Sequence, residues 1–145
     1  SGKNFKIINY EKIIDCNLFK DIFKTAKGKY VAPNPIEMKL SKNNLIEQVC
    51  VVGENLTQPI ALVVMNESKK IAEEIKNNFE ALIDSINNKL EKHERIKKIV
   101  ILKDSWSIEN NILTPTLKIK RNVIEEKYKE FYESWFNSKN QIIFQ

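Results

Sequence analysis

The sequence predicts an α+β domain: a small mixed sheet of about three core strands, plus an N-terminal hairpin, covered by helices. Three observations predict it. Val49-Cys50-Val51-Val52 and Ile60-Ala61-Leu62-Val63-Val64 are short, β-branched and almost unbroken apolar runs, the pattern of strands buried on both faces. Between residues 67 and 92, Ile71, Ile75, Phe79, Leu82, Ile83, Ile86 and Leu90 recur at three- and four-residue steps, as in a helix that covers a sheet. The length, 145 residues, suffices for one domain with its own core and not for two.

The elements follow in order. Ser1-Gly2 reads as the remnant of a cleaved tag. Residues 3–14 alternate loosely through Phe5, Ile7 and Ile13 and predict a small hairpin turning near Asn9-Tyr10. With the segment behind it, this makes residues 1–19 a lead-in, residues 20–137 the main domain and residues 138–145 a tail. Asn34-Pro35-Ile36-Glu37 reads as a helix start, with Asn34 as N-cap, Pro35 in the first helical position and Glu37 reaching back to the cap amide. That helix should end near Ser41–Asn44. Gly53 to Gln58 suits a hairpin connection between the two apolar strands. Ile96 to Leu102 predicts a third strand, and Asp104 to Pro115 a loop anchored by Trp106. A last helix, from near Arg121 to about Asn137, has the apolar face Ile124, Tyr128, Phe131, Tyr132, Trp135 and Phe136.

Composition removes several function classes. No apolar run approaches the ~20 residues of a membrane helix, and no signal-peptide pattern opens the chain, so the reading is cytoplasmic. Cys16 and Cys50 lack metal-ligand spacing, which favours a reduced protein without a metal site. His93 is the only histidine and reads as a solvated helix-end residue. A histidine-based metal site or a Ser-His-Asp triad is thereby excluded. The net charge of +5 favours phosphate-bearing ligands. Nucleic acid is disfavoured, because the aromatics do not interleave with a basic stripe.

Two segments carry chemistry. Lys24-Thr25-Ala26-Lys27-Gly28-Lys29-Tyr30-Val31-Ala32-Pro33 places a glycine between lysines, a tight turn that projects basic and aromatic groups. It can cradle a phosphate or line a narrow channel; the plainer alternative is a surface turn. Leu113-Thr114-Pro115-Thr116-Leu117-Lys118-Ile119 delivers Lys118 on a stiffened loop, with Leu117 and Ile119 expected to anchor the backbone. A lysine so placed can hold a negative oxygen in a water-poor site; the alternative is one more solvated lysine.

Together, in this order and with the strand pair Gln48–Glu54 and Pro59–Val63 between them, the two segments resemble the C-terminal domain of AMP-forming long-chain fatty acyl-CoA synthetases. These belong to the superfamily that includes firefly luciferase and peptide-synthetase adenylation domains. Ile36-Glu37 and Ser105-Trp106-Ser107 also match, and the likeness covers about residues 20–136. The resemblance implies a fatty acid activated by ATP and Mg²⁺ to an acyl-adenylate, then transferred to CoA. It implies a large N-terminal adenylation domain of the same polypeptide as partner, and it leaves membrane association of the whole enzyme open. Lys118 would be the adenylation lysine. Lys24, Thr25, Lys27, Gly28, Lys29 and Tyr30 would form the turn facing CoA in a second pose. The isolated domain should fold and catalyse nothing. The family's hinge residue falls on Asn17 without a gap, or on Asp15 with a two-residue insertion, and the arginine that follows it becomes Leu18 or Cys16. That loss supports the alternative of a degenerate, non-catalytic module of the same fold.

Overall fold

The computed structural model describes residues 21–145. The hairpin expected over residues 3–14 and both hinge candidates, Asp15 and Asn17, lie outside the described residues. A two-stranded hairpin, β1 (Phe23–Lys24) and β2 (Tyr30–Val31), leads into helix α1 (Pro33–Leu40). Strands β3 (Ile46–Val52) and β4 (Ile60–Met65) follow, then helix α2 (Ala72–Asn87), a 3-10 turn at Lys92–Glu94 and strand β5 (Lys98–Leu102). Helix α3 (Arg121–Tyr128), a second 3-10 turn (Lys129–Phe131), helix α4 (Tyr132–Phe136) and strand β6 (Ile142–Phe144) complete the chain.

The four-stranded sheet has the order β3-β4-β5-β6. β3 and β4 are antiparallel, whereas β4–β5 and β5–β6 are parallel. The unbroken apolar runs have a simple cause: both faces of this sheet are covered. Val49, Val51, Ala61, Val63, Ile99 and Ile101 point into one core with Ile36, Leu40, Ile75, Phe79, Ile83 and Ile86 of α1 and α2. Their neighbours Cys50, Val52, Leu62, Val64, Val100 and Leu102 point into the other, with Trp106, Ile112, Ile124, Tyr128, Tyr132 and Trp135. The period of two along each strand sorts residues between two layers of helices.

Trp106 anchors its loop as expected. It is buried, and its backbone is clamped by Gln48, whose Nε2 donates to Trp106 O (2.8 Å) and whose Oε1 accepts from Trp106 N–H (2.9 Å).

Four expectations need correction. The sheet has four strands, because residues 142–144, expected to lie in a tail, form β6. Three residues are too few to show a period; they pair with β5, and the chain leading to them is fixed by Lys98, whose buried Nζ donates to Ser138 O (2.6 Å) and Asn140 O (2.7 Å). Helix α1 starts at Pro33 with Ala32 in the cap position and no side-chain cap bond, so Asn34 is not the cap. Glu37 turns away from the helix start and accepts from Val51 N–H at 2.7 Å instead. Helix α2 is shorter than residues 67–92. Ile71 is exposed, and Asn87 spends its amide on the next segment, donating to Ile96 O (3.1 Å) and accepting from Ile96 N–H (2.9 Å). The last helix is broken at Lys129–Phe131, which turns Phe131 outward to stack on Trp135 at 5.5 Å.

Candidate functional site

The two segments singled out in the sequence fold into loops of one build. In the first, Thr25 N–H donates to Lys29 O (2.8 Å), Gly28 N–H to Thr25 O (2.9 Å) and Lys29 N–H to Thr25 Oγ1 (3.2 Å). In the second, Thr114 N–H donates to Lys118 O (2.8 Å), Leu117 N–H to Thr114 O (2.8 Å) and Lys118 N–H to Thr114 Oγ1 (3.0 Å). Each is a three-residue hairpin loop ending in a left-handed residue, Gly28 at φ 80° and Leu117 at φ 65°. Each presents a lysine directly after that residue.

The base of each loop is fixed differently. The Gly28 hairpin rests on the β3–β4 connection, where Ala26 N–H donates to Leu56 O (2.8 Å). Phe23 lies against Gly53, so closely that a Cβ there would sit 2.9 Å from Phe23 Cε2. The Lys118 hairpin is closed by pairing of Leu113 with Ile119. Lys120 N–H donates to Ile112 O (2.7 Å) and Lys120 Nζ to Asn111 Oδ1 (2.7 Å). Ile119 packs on the second core, as expected of an anchor. Leu117 does not: it is 66% exposed, because its left-handed backbone turns the side chain out to solvent.

The predicted turn residues divide by role. Thr25 is buried at 4% exposure and acts inside the loop. Lys24 Nζ lies 5.9 Å from the centre of the exposed Tyr30 ring, within cation–π range. Lys27 and Lys29 line an open cleft of about 350 Å³ with Thr25, Thr57, Gln58, Lys92 and His93. Three lysines and a histidine meet there, and no carboxylate is among the lining residues, an arrangement suited to an anion. Lys118 belongs to the other hairpin, is exposed, and is not part of this cleft.

Sequence reasoning missed Lys92 and His93 as members of the cleft. His93 is half-buried in a 3-10 turn whose ends are fixed by reciprocal bonds between Glu91 and Glu94; only tertiary contact brings it to the Gly28 hairpin. It also missed the centre of the buried polar network. Arg121 opens α3, three residues after Lys118, and its Nη2 donates to Glu37 Oε2 (2.9 Å) and Oε1 (3.1 Å). Its Nη1 donates to Val51 O (2.8 Å) and Cys50 Sγ (3.0 Å), and its Nε lies 3.5 Å from Asp21 Oδ2. Burial pushes the Glu37 carboxyl above its ordinary range, against the pull of Arg121. Burial likewise keeps the Cys50 thiol protonated far beyond the ordinary cysteine range. The signal that could have found Arg121 is its rarity, since the only other arginine is Arg95.

These features coincide with one family. The model for the AMP-binding enzyme C-terminal domain matches residues 20–140, and the chain belongs to that family. Among curated proteins it is similar to long-chain-fatty-acid–CoA ligase 5 of Rattus norvegicus, 33% identical over 147 residues, which cover 85% of this chain and 21% of the relative. Ligase 6 of the same species is 31% identical over 146 residues, covering 87% of this chain and 21% of the relative. The chain thus spans about a fifth of the length of these relatives. Among solved structures, the A-PCP didomain of carboxylic acid reductase from Segniliparus rugosus in complex with AMP superposes with a TM-score of 0.64 at 25% identity, over 79% of this chain and 17% of that one. A fatty acyl CoA synthetase of Mycobacterium tuberculosis shares the fold, with a TM-score of 0.53 at 20% identity over 77% of this chain and 20% of that one. Among the described residues, no helix is long and apolar enough to cross a membrane.

Proposed function

We propose that this chain is the C-terminal domain of a long-chain fatty acid–CoA ligase and serves both half-reactions in turn. The observation that carries the reading is the pair of like-built hairpins, each presenting a lysine, within a domain of this family. The names of the relatives support the substrate class.

In the first half-reaction the fatty acid carboxylate attacks the α-phosphate of ATP and pyrophosphate leaves. Lys118 enters the site of the N-terminal adenylation domain on its stiffened loop and stabilises the charge gathering on the reacting oxygens. ATP and Mg²⁺ are held largely by that partner domain. In the second half-reaction the domain turns on the hinge at Asp15 or Asn17. Lys27-Gly28-Lys29 then faces the site, and the CoA thiol attacks the acyl carbonyl and displaces AMP. The cationic cleft beside this turn receives phosphates of CoA, while Gly28, without a side chain, leaves room for its chain. One domain presenting two faces in sequence is a hinge-controlled mechanism. The isolated domain, without acyl and nucleotide pockets, is inactive.

The test is made on the full-length polypeptide carrying this domain. Lys27→Ala combined with Lys29→Ala should raise the KM for CoA in transfer from preformed acyl-adenylate and leave ATP–pyrophosphate exchange intact. An unchanged KM for CoA removes the hairpin from the second half-reaction. Absence of fatty-acid-dependent exchange in the unmodified protein overturns the ligase reading.

A further inference from the structure

Arg121 touches neither hairpin tip, yet it stands three residues after Lys118. Arg121 is the first residue of α3, so its anchorage fixes the far end of the loop that carries the lysine. The Arg121 side chain is 13% exposed and engages three separate segments: Asp21 at the entry to the domain, Glu37 on α1, and Cys50 and Val51 on β3 through side chain and backbone. Glu37 is matched in return, since its Oε2 also accepts from Val51 N–H. The Gly28 hairpin takes no part in this network. It is held by the bond from Ala26 to Leu56 and by the packing of Phe23 on Gly53.

We infer that Arg121 is a positioning residue for the first half-reaction: with Glu37 and Asp21 it forms a strap that sets where the Lys118 hairpin stands on α1 and β3. This rests on the proposed role of Lys118. Arg121 follows Lys118 by three residues, whereas the Gly28 hairpin meets the strap only at its flanks, through Asp21 before β1 and Glu37 on α1, and its loop carries its own bonds through Thr25 and Ala26, so the strap bears first on the Lys118 loop. Asp21 gives the strap a second property. It stands at φ 66° and is exposed, and it lies just past the hinge candidates in the chain. Its ion pair therefore ties the start of the described chain to the helix that follows the lysine loop.

The chemistry of the guanidinium decides the test. Its planar fork reaches a carboxylate pair, a carbonyl and a second carboxylate at once; an ammonium keeps the charge but cannot span them. Arg121→Lys in the full-length polypeptide should lower fatty-acid-dependent pyrophosphate exchange on the order of tenfold to a hundredfold, the cost of a displacement of about an ångström in a catalytic group. Transfer from preformed acyl-adenylate to CoA in the same protein should stay at the unmodified rate, which also shows that the domain is folded. Asp21→Asn, at the exposed end of the strap, should give a smaller loss in exchange alone. Equal loss of both half-reactions in Arg121→Lys and Asp21→Asn overturns the inference, since the network is then only structural; so does full exchange in both. Should Lys118→Ala itself retain exchange, the proposed role of Lys118 fails, a result distinct from failure of the strap.

Discussion

Gly28 and Leu117 occupy equivalent positions in two hairpin loops of the same build. Each is the left-handed residue that closes the loop, at φ 80° and 65°, and each is followed by a lysine whose N–H donates to a threonine hydroxyl four residues earlier. Glycine meets this conformation without strain. Leucine carries a Cβ that crowds the carbonyl, at a cost of about 1–2 kcal/mol. The domain thus spends strain at the turn before Lys118 and none at the turn before Lys29.

This relationship predicts substitutions of opposite sign. Gly28→Ala should destabilise the domain by about 1–2 kcal/mol for conformational reasons alone, since the nearest atom to the new Cβ would be Lys24 Cε at 3.8 Å. Leu117→Gly should be neutral or stabilising by less than about 1 kcal/mol, strain relief being partly offset by the entropy of an unfolded glycine. Denaturant unfolding of both variants checks the signs. A clear loss of stability in Leu117→Gly contradicts the account of this turn.

Gly53 offers a steric contrast. A Cβ there would sit 3.0 Å from the backbone Cα of Pro59 and 2.9 Å from Phe23 Cε2. Gly53→Ala should therefore cost about 1–3 kcal/mol through overpacking and loosen the Gly28 hairpin. Hydrogen exchange at Ala26 N–H, which is bonded to Leu56 O, should quicken; unchanged protection there argues against the contact.

Much of this was legible in sequence because two facing cores impose a strict alternation on β3, β4 and β5. The helix α2 stripe was legible for the same reason. What escaped was set by single side chains acting over long separations. The chain leading to β6 is fixed by Lys98 reaching carbonyls 40 and 42 residues away. Glu37 looked like a capping residue because its local neighbours suit a helix start, but a buried arginine 84 residues later claims its carboxylate. Of the site, the two loops and their lysines could be read directly. Lys92 and His93 could not, since nothing local marks a 3-10 turn as the wall of a cleft.

The Arg121–Glu37 pair predicts strong non-additivity. Arg121→Met or Glu37→Met alone leaves a buried charge without its partner and should cost about 3–5 kcal/mol. The double substitution should recover a large part of that loss. A double-mutant cycle measures the coupling; additive losses would show that the two groups do not depend on each other.

Cys50 should report on opening of the domain. Its thiol is buried, held protonated by its surroundings despite the nearby guanidinium, and thiolate is the reactive form. In a Cys16→Ser background, Cys50 should resist alkylation under native conditions and react as denaturant unfolds the domain. Rapid native labelling contradicts the packing described here.

Lys98 predicts a pH dependence. Burial, reinforced by Lys97, lowers its pKa below the ordinary 10.5. Between the lowered value and 10.5, the unfolded chain holds a proton that the folded chain has released, so the Lys98 contribution to stability rises with pH in that window. Lys98→Met should remove that rise and free the backbone of Ser138 and Asn140, costing about 1.5–3 kcal/mol near neutrality. Comparing unfolding of the two proteins from pH 8 to 11, a range chosen to bracket the ordinary lysine value, isolates the effect.

On the proposed function, Lys118 serves adenylation and not thioester formation. The measurement is fatty-acid-dependent ATP–pyrophosphate exchange by the full-length polypeptide, unmodified against Lys118→Ala, with CoA transfer from preformed acyl-adenylate followed in the same preparations. Loss of exchange on the order of 10²–10³-fold with transfer retained is the predicted result. Equal exchange in the two proteins would contradict it.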